Sequence, residues 1–345
     1  MNIAIVHRYY PMPGGVTSVV NALTHELKKN NSVTIITNDS SCKEEGAVYV
    51  PGGDFSFYTN TYQFIKKNNF EIIHTHSFPL AYFSPLLEQP VILTIHGYEK
   101  IYDWPSGLLN KMRICLVTVG KGISYMMSNK LISVSTLVKE QILKRWRINK
   151  SKIEVIYNPL DSEIFIPTKN KIKSKEFKIF IYSTSKRKGF DKLVSWIKDL
   201  VPEIPKIKII VVGEKIDLPK DVKDFFEFTG KVESKNMPQI FNSVDLVIMP
   251  SIDEPFGLTA AEGMSCGKPT IVSDKSGIKD IITNNQNGII SNLEEFPQSI
   301  IKIYKNKKLR KRIMQNSRST IRRELNPETI ANKHIKLYKL ALNDK

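Results

Sequence analysis

Cysteine is nearly absent from this sequence. Cys42, Cys115 and Cys266 are odd in number, widely spaced and form no Cys-x-x-Cys. That excludes a disulfide framework and a cysteine zinc site, and leaves three reduced thiols. Long apolar runs are missing too, so no segment reaches the roughly 18–20 residues that span a bilayer. The opening NIAIVH lacks the basic, apolar and small-residue succession of a signal peptide. A cytoplasmic protein is the expectation. No Asp-x-Asp occurs, a pair commonly used to hold a diphosphate through a divalent cation, so no metal is expected. Acidic residues are also short, at 34 against 51 Lys and Arg, for a formal net charge of +17. The excess is concentrated: residues 302–345 carry fourteen Lys/Arg and three Asp/Glu. A basic face of this kind meets an anionic membrane, nucleic acid or only water. Nucleic acid is not expected, because no recognisable binding module or aromatic stacking platform accompanies the charge.

What is present is enough for two domains. The 345 residues are 41% hydrophobic, and a length near 150 residues per domain divides them in two. Short apolar runs alternate with helical stretches: IAIVH (3–7), SVTIITN (32–38), EIIHTH (71–76), VILTIHG (91–97), LISVS (131–135) and IEVIYN (153–158). The rhythm restarts with KIFIYS (178–183), KIIVVG (208–213), FEFTGK (226–231), DLVIMPS (245–251) and PTIVSD (269–274). Near-continuous apolar strands separated by helices, clearest at 16–30 and 135–146, indicate parallel sheets covered on both faces. Between the two series lies the polar, lysine-rich IPTKNKIKSKEF (166–177), which reads as a linker. The expectation is α/β, two doubly wound Rossmann-like domains facing across a cleft. One comprises residues 1–165 with a returning C-terminal helix at 327–345, and the other residues 172–326.

The stretch SIDEPFGLTAAEGMSCGKPTIVSD (251–274) sets Glu254 and Glu262 eight apart around Phe-Gly-Leu. A strand ends at its beginning and a helix starts near Thr259. The unpaired N–H groups of that helix start, with Gly257 allowing close approach, suit the phosphates of a nucleotide. The two carboxylates suit sugar hydroxyls on either side of the diphosphate. Alternatively, Glu254 favours the helix N-terminus electrostatically and Glu262 is a surface residue.

This neighbourhood resembles the Glu-x7-Glu signature of GT-B glycosyltransferases of family 4, retaining enzymes that use nucleotide-sugar donors. The resemblance continues, in order, through PMPGGVTSVV (11–20), LTIHG (93–97), ISVS (132–135), VIYNPLDSEIF (155–165), VVGE (211–214), FTGKV (228–232) and DLVIMPS (245–251). It implies that Glu262 takes the donor ribose and Glu254 the transferred sugar. The backbone of Phe256, Gly257 and Leu258 would contact sugar and diphosphate. Gly14 and Gly15 would offer N–H groups to the diphosphate, and His96 would touch the donor sugar or phosphate. The family usually places Gly-Arg five residues before Lys-Gly. Here Lys188-Gly189 is present, but Ser183 stands in the earlier place, leaving Lys188 and Arg187 as the cations for the leaving diphosphate. His74 and His76 share a strand face; packing or acceptor contact is expected of them, since two ligands make no metal site.

The resemblance implies a retaining hexosyltransferase acting on a glycan, lipid-linked or small-molecule acceptor, in surface glycan or glycoconjugate biosynthesis. It would need no cofactor beyond its nucleotide-diphosphate-sugar co-substrate, and the leaving phosphate would help deprotonate the acceptor. A GT-B nucleotide-sugar 2-epimerase and a noncatalytic nucleotide-sugar or polyanion-binding protein are the alternatives. The basic 302–323 segment would be a helix with its cationic face against the inner membrane surface. The last helix, with Ile330, Ile335, Leu337, Leu340 and Leu342, would pack back on the N-terminal domain.

Overall fold

A computed structural model describes residues 1–97, 108–168 and 175–344. The chain forms two compact units, Met1–Pro159 with Pro327–Lys345, and Leu160–Asn326.

The first unit is built from β1 (Asn2–Val6), α1 (Gly15–Lys28), β2 (Ser32–Thr37), β3 (Ala47–Tyr49), α2 (Ser56–Lys66), β4 (Ile72–Thr75), β5 (Val91–Ile95), α3 (Leu108–Met127), β6 (Lys130–Ser133), α4 (Thr136–Arg145) and β7 (Ile153–Val155). The seven strands form a parallel sheet in the order β3-β2-β1-β4-β5-β6-β7. The order reverses between β1 and β4. Strands β1, β4 and β5 are buried almost throughout, as a sheet with helices on both faces requires. The C-terminal helix Pro327–Asn343 packs on α1, where Ile330, Leu337 and Tyr338 join Val20, Leu23 and Leu27 in one core. Leu340, expected in that core, is instead exposed, because it faces away from α1's apolar stripe.

The second unit contains β8 (Phe177–Tyr182), α5 (Phe190–Leu200), β9 (Ile207–Val212), β10 (Phe226–Gly230), α6 (Met237–Ser243), β11 (Leu246–Met249), α7 (Leu258–Ser265), β12 (Thr270–Ser273), β13 (Ile289–Ser291), α8 (Phe296–Lys305) and α9 (Lys307–Glu324). Its six strands are parallel in the order β10-β9-β8-β11-β12-β13, reversing between β8 and β11. Phe190, Leu193, Ile197, Phe296, Ile300, Leu309 and Ile313 are among the side chains its helices bury.

The differences from the sequence reading concern connections. Residues 160–165, expected with the first domain, belong to the second unit. There the Leu160 N–H donates to the Leu325 carbonyl, and the Phe165 carbonyl accepts from the Ser265 hydroxyl and the Arg318 guanidinium. Of the lysine-rich 166–177 stretch, residues 169–174 lie outside the described residues. The 302–323 segment is two helices, broken at Asn306, whose side chain accepts from the Leu309 N–H and caps α9.

Candidate active site

In open α/β sheets, ligands bind beyond the carboxyl ends of strands, where the strand order reverses. In the second unit that place lies between β8 and β11. The turn after β8 contains Lys188-Gly189, and the loop after β11 contains residues 251–257.

Gly189 makes the first of these turns possible. Its φ is 76°, and a Cβ there would sit 2.0 Å from the Pro250 carbonyl oxygen. Only glycine fits both the left-handed backbone and that approach. The turn is tied to the next loop by the Ile252 N–H, which donates to the Arg187 carbonyl (2.9 Å). As a result Lys188 Nζ forms an ion pair with Glu254 Oε2, and both side chains are largely shielded from solvent. The Ser251 hydroxyl donates to the same carboxylate oxygen (3.4 Å). Arg187 lies beside this pair, its guanidinium donating to the Asp253 carbonyl (3.5 Å). Two residues read separately from sequence, one as the phosphate cation and one as the sugar acceptor, thus touch each other.

The Glu254 backbone is fixed from the other side. Its N–H donates to the Lys275 carbonyl, its carbonyl accepts from Gly277, and the Phe256 carbonyl accepts from Ile278. The Ser273 hydroxyl donates to the Ser251 carbonyl (2.6 Å). The loop after β11 is therefore stitched to the loop after β12. Gly257, at φ 113°, turns the chain into α7. Phe256 is buried, Leu258 half-buried, and the Leu258 and Thr259 N–H groups, at the helix start, have no partner within α7. Lys188, Ser251, Thr259 and Ala260 line a small recess at this point.

Glu262 is half-buried on α7, one turn further along. It has no hydrogen-bond or ion-pair partner among the described residues, and burial pushes its carboxyl up to about 8. A surface role does not account for such a group, since a desolvated carboxylate without donors is costly.

Ser183, in the place where the resemblance would put arginine, has φ 72°. A serine thus holds a left-handed backbone that glycine adopts freely, an uncommon and strained arrangement. The Ser183 hydroxyl accepts from the Ser185 N–H (3.2 Å).

In the first unit, Gly14 and Gly15 begin α1, and a Cβ on Gly14 would meet nothing within 4 Å. His96 follows β5. It belongs to a cluster that the sequence did not disclose, in which His7, His74, His76, His96 and His334 gather at the carboxyl ends of β1, β4 and β5. His76 Nδ1 and His96 Nε2 share a hydrogen bond (2.8 Å). His74 Nδ1 bonds the Tyr338 hydroxyl (2.7 Å), and its Nε2 bonds the Thr94 hydroxyl (2.7 Å). The Thr17 hydroxyl donates to the Met12 carbonyl, so the Nε2–H of His7 donates to Thr17 (3.2 Å). Burial lowers His7 to about 4 and His96 to about 3, and holds His74 and His76 well below the ordinary imidazole value, helped by the neighbouring imidazoles. His76 Nε2 is buried with no partner among the described residues. No group of three His, Cys, Asp or Glu among those residues is placed to hold a metal ion.

In α9, Lys307, Lys308, Lys311 and Arg312 are exposed. Arg310, expected on the same outward face, turns inward instead, its guanidinium donating to the Ile303 and Tyr304 carbonyls and lying over the Phe177 ring. No described helix is long and apolar enough to cross a membrane.

Two doubly wound parallel sheets of this kind match the fold of GT-B glycosyltransferases. Sucrose-phosphate synthase from Thermosynechococcus elongatus shares the fold over 100% of both chains, with a TM-score of 0.82 at 18% identity. Anabaena HepE, solved with UDP-glucose, shares it over 99% of this chain and 100% of that one, with a TM-score of 0.80 at 15% identity. An uncharacterised glycosyltransferase of Methanocaldococcus jannaschii is 26% identical over 340 residues, 92% of each chain. Residues 13–164 match the model of glycosyltransferase family 4, and residues 161–320 that of the group 1 glycosyl transferases. The chain belongs to this glycosyltransferase family and is an enzyme of that class.

Proposed function

We propose that the enzyme transfers a hexose from a nucleotide-diphosphate sugar to a glycan, lipid-linked or small-molecule acceptor, retaining the anomeric configuration and using no metal ion, in surface glycan or glycoconjugate biosynthesis. The observation that carries this reading is the Lys188–Glu254 pair at the β8/β11 reversal, beside the N-terminus of α7. A diphosphate gains negative charge as the bond to the sugar breaks. Lys188, Arg187 and the N–H groups at the start of α7 supply fixed positive potential for it. Glu254 is already held by its backbone, so it can exchange part of its contact with Lys188 for hydroxyls of the transferred sugar. Glu262, with no donor of its own, accepts from the ribose hydroxyls. The backbone of Phe256, Gly257 and Leu258 approaches sugar and phosphate. From the first unit we assign the N–H groups of Gly14 and Gly15 to phosphate oxygens. Nothing inside the protein requires a missing Cβ at Gly14, which supports that role. His96, held neutral, is assigned a hydrogen bond to the donor sugar or phosphate.

In the transfer itself, the bond from the anomeric carbon to the phosphate oxygen breaks, and the acceptor oxygen bonds to that carbon on the same face. The acceptor proton passes to the departing phosphate. The UDP-glucose bound by Anabaena HepE makes uridine diphosphate sugars the first donors to try. A donor panel read by thermal shift should identify the nucleotide, since a ligand at a hundredfold its Kd adds about 2.7 kcal/mol. Turnover with an acceptor panel, in EDTA, should then give product whose anomeric centre matches the donor's. Inverted product would overturn retention, activity lost to EDTA and restored by magnesium or manganese would overturn the metal-free mechanism, and epimerised donor would overturn transfer.

A further inference from the structure

Helix α3 turns an apolar face to solvent. Met112, Leu116, Val119, Ile123, Met126 and Met127 recur every three or four residues along it, and each is between 37% and 71% exposed. The opposite face is anchored in the protein. Ile114, Ser124 and Tyr125 are buried, and the Gly122 backbone lies so near Trp146 that a Cβ would come within 2.3 Å of its ring. The stripe is therefore held outward by packing. A contiguous exposed apolar face of this kind marks an interaction surface.

Charge selects the occupant. No Asp or Glu occurs between residues 108 and 139. Lys111 and Arg113, both exposed, flank the stripe at its first turn, and Lys152 donates to the Met126 carbonyl at its last. Arg145 lies over the Trp146 ring beside the helix. An outward apolar face with Lys111, Arg113 and Lys152 along it, and no acidic residue on its own helix, suits the boundary between headgroups and acyl chains of an anionic bilayer. The exposed basic residues of α9 offer charge alone, since no large apolar side chain is exposed between Ile252 and Leu340. We infer that α3 is a membrane-docking surface that seats the first unit on anionic lipid.

The test uses the full chain and reads no catalysis, so its failure leaves the proposed transfer reaction standing. Phosphatidylcholine vesicles with and without phosphatidylglycerol are sedimented with the wild type and with the triple variant Leu116→Gln, Val119→Gln, Ile123→Gln. All three positions are solvent-exposed, and an unchanged Tm establishes that the variant folds. The expected result is binding to anionic vesicles that weakens at least about tenfold in the triple variant. Replacing Lys307, Lys308, Lys311 and Arg312 by Gln should change it by less than about threefold. In a Cys42→Ser background, a polarity-sensitive fluorophore on the exposed Cys115, at the stripe's edge, should shift to the blue on anionic vesicles. Equal sedimentation of the triple variant, an unmoved Cys115 probe, or a larger loss from the α9 changes would overturn the inference. So would a dimer in solution that the triple variant dissolves while vesicle binding persists, which would make the stripe an interface between copies of this chain.

Discussion

The β1/β4 reversal and the β8/β11 reversal are the same place in two similar sheets, and their side chains differ in kind. The first gathers imidazoles that burial keeps neutral, with His7 lowered to about 4 and His96 to about 3. The second holds a shielded ion pair, Lys188 with Glu254, and a half-buried carboxyl raised to about 8 at Glu262. One end offers neutral hydrogen-bonding groups and the other offers charge. The lesson is that the parallel sheet supplies only the position, and the loop residues decide the chemistry.

The largest expected effect comes from breaking the charged end. Lys188→Ala should lower kcat/KM by about 2–4 kcal/mol, the scale of removing one preorganised charge that stabilises the transition state. It should also lower Tm, because Glu254 is left as a shielded charge without its partner. The double variant Lys188→Ala, Glu254→Ala should recover much of the Tm and none of the activity. Recovery of activity would show that the pair is only structural.

The next effect separates the two carboxylates. Glu254→Ala should depress kcat more than nucleotide affinity, because its sugar hydrogen bonds tighten as the glycosidic bond breaks, whereas Glu262→Gln should chiefly weaken nucleotide binding. Ribose hydroxyls donate to the ionised carboxylate, so nucleotide affinity should rise with pH through about 8 in the wild type and lie flat in Glu262→Gln. Calorimetric titrations at pH 6.5 and 9 would decide this. Affinity independent of pH would remove Glu262 from the ribose.

A third effect opposes the two ends in stability. Histidines whose folded values lie below 6.5 make the unfolded chain bind more protons between that value and about 4. Their contribution to stability is full above about 6.5 and is lost as pH falls. Glu262 has the opposite sign. Its folded value exceeds the ordinary 4.5, so the folded chain holds the extra proton and stability declines as pH rises from about 4.5 to about 8. Urea unfolding of Glu262→Gln should flatten the alkaline decline, and His96→Asn should soften the acid one. An unchanged alkaline slope in the first variant would contradict the burial of that carboxyl.

The smallest effect is at Ser183. A non-glycine residue in the left-handed region costs about 1–2 kcal/mol, so Ser183→Gly should be neutral to stabilising by up to about 1 kcal/mol, offset by the greater freedom of glycine when unfolded. A clear loss in Tm would mean that the Ser183–Ser185 hydrogen bond matters more than the strain.

Much of this was readable from residues near one another in the chain. The eleven apolar runs each became a strand, because a continuous buried run between helices has no other place than the interior of a parallel sheet. Strands β3 and β13 were missed; each is three residues long, lies at a sheet edge and is closed in by glycine, proline or asparagine, whereas the equally short edge strand β7 sits inside the longer apolar run IEVIYN. The glycine before α7 and the Lys-Gly after β8 were visible as motifs, because turn geometry demands those residue types locally. The pairing of Lys188 with Glu254 was not visible, since it depends on Gly189 closing onto Pro250 across two strands.

The sequence by itself determined most of the strand and helix segments, the class of fold, and the residue types at the loops after β8 and β11, since propensity, periodicity and turn chemistry act over a few positions. Only the tertiary structure decided which charges meet and which groups lose water. Tyr338 reaches His74 across 264 residues of sequence, and the apolar stripe of α3 is solvent-facing because Trp146 packs on the opposite side. Burial and pairing are properties of the closed chain. The same histidine or glutamate reads alike in sequence whether it ends in water or among side chains that strip its water away.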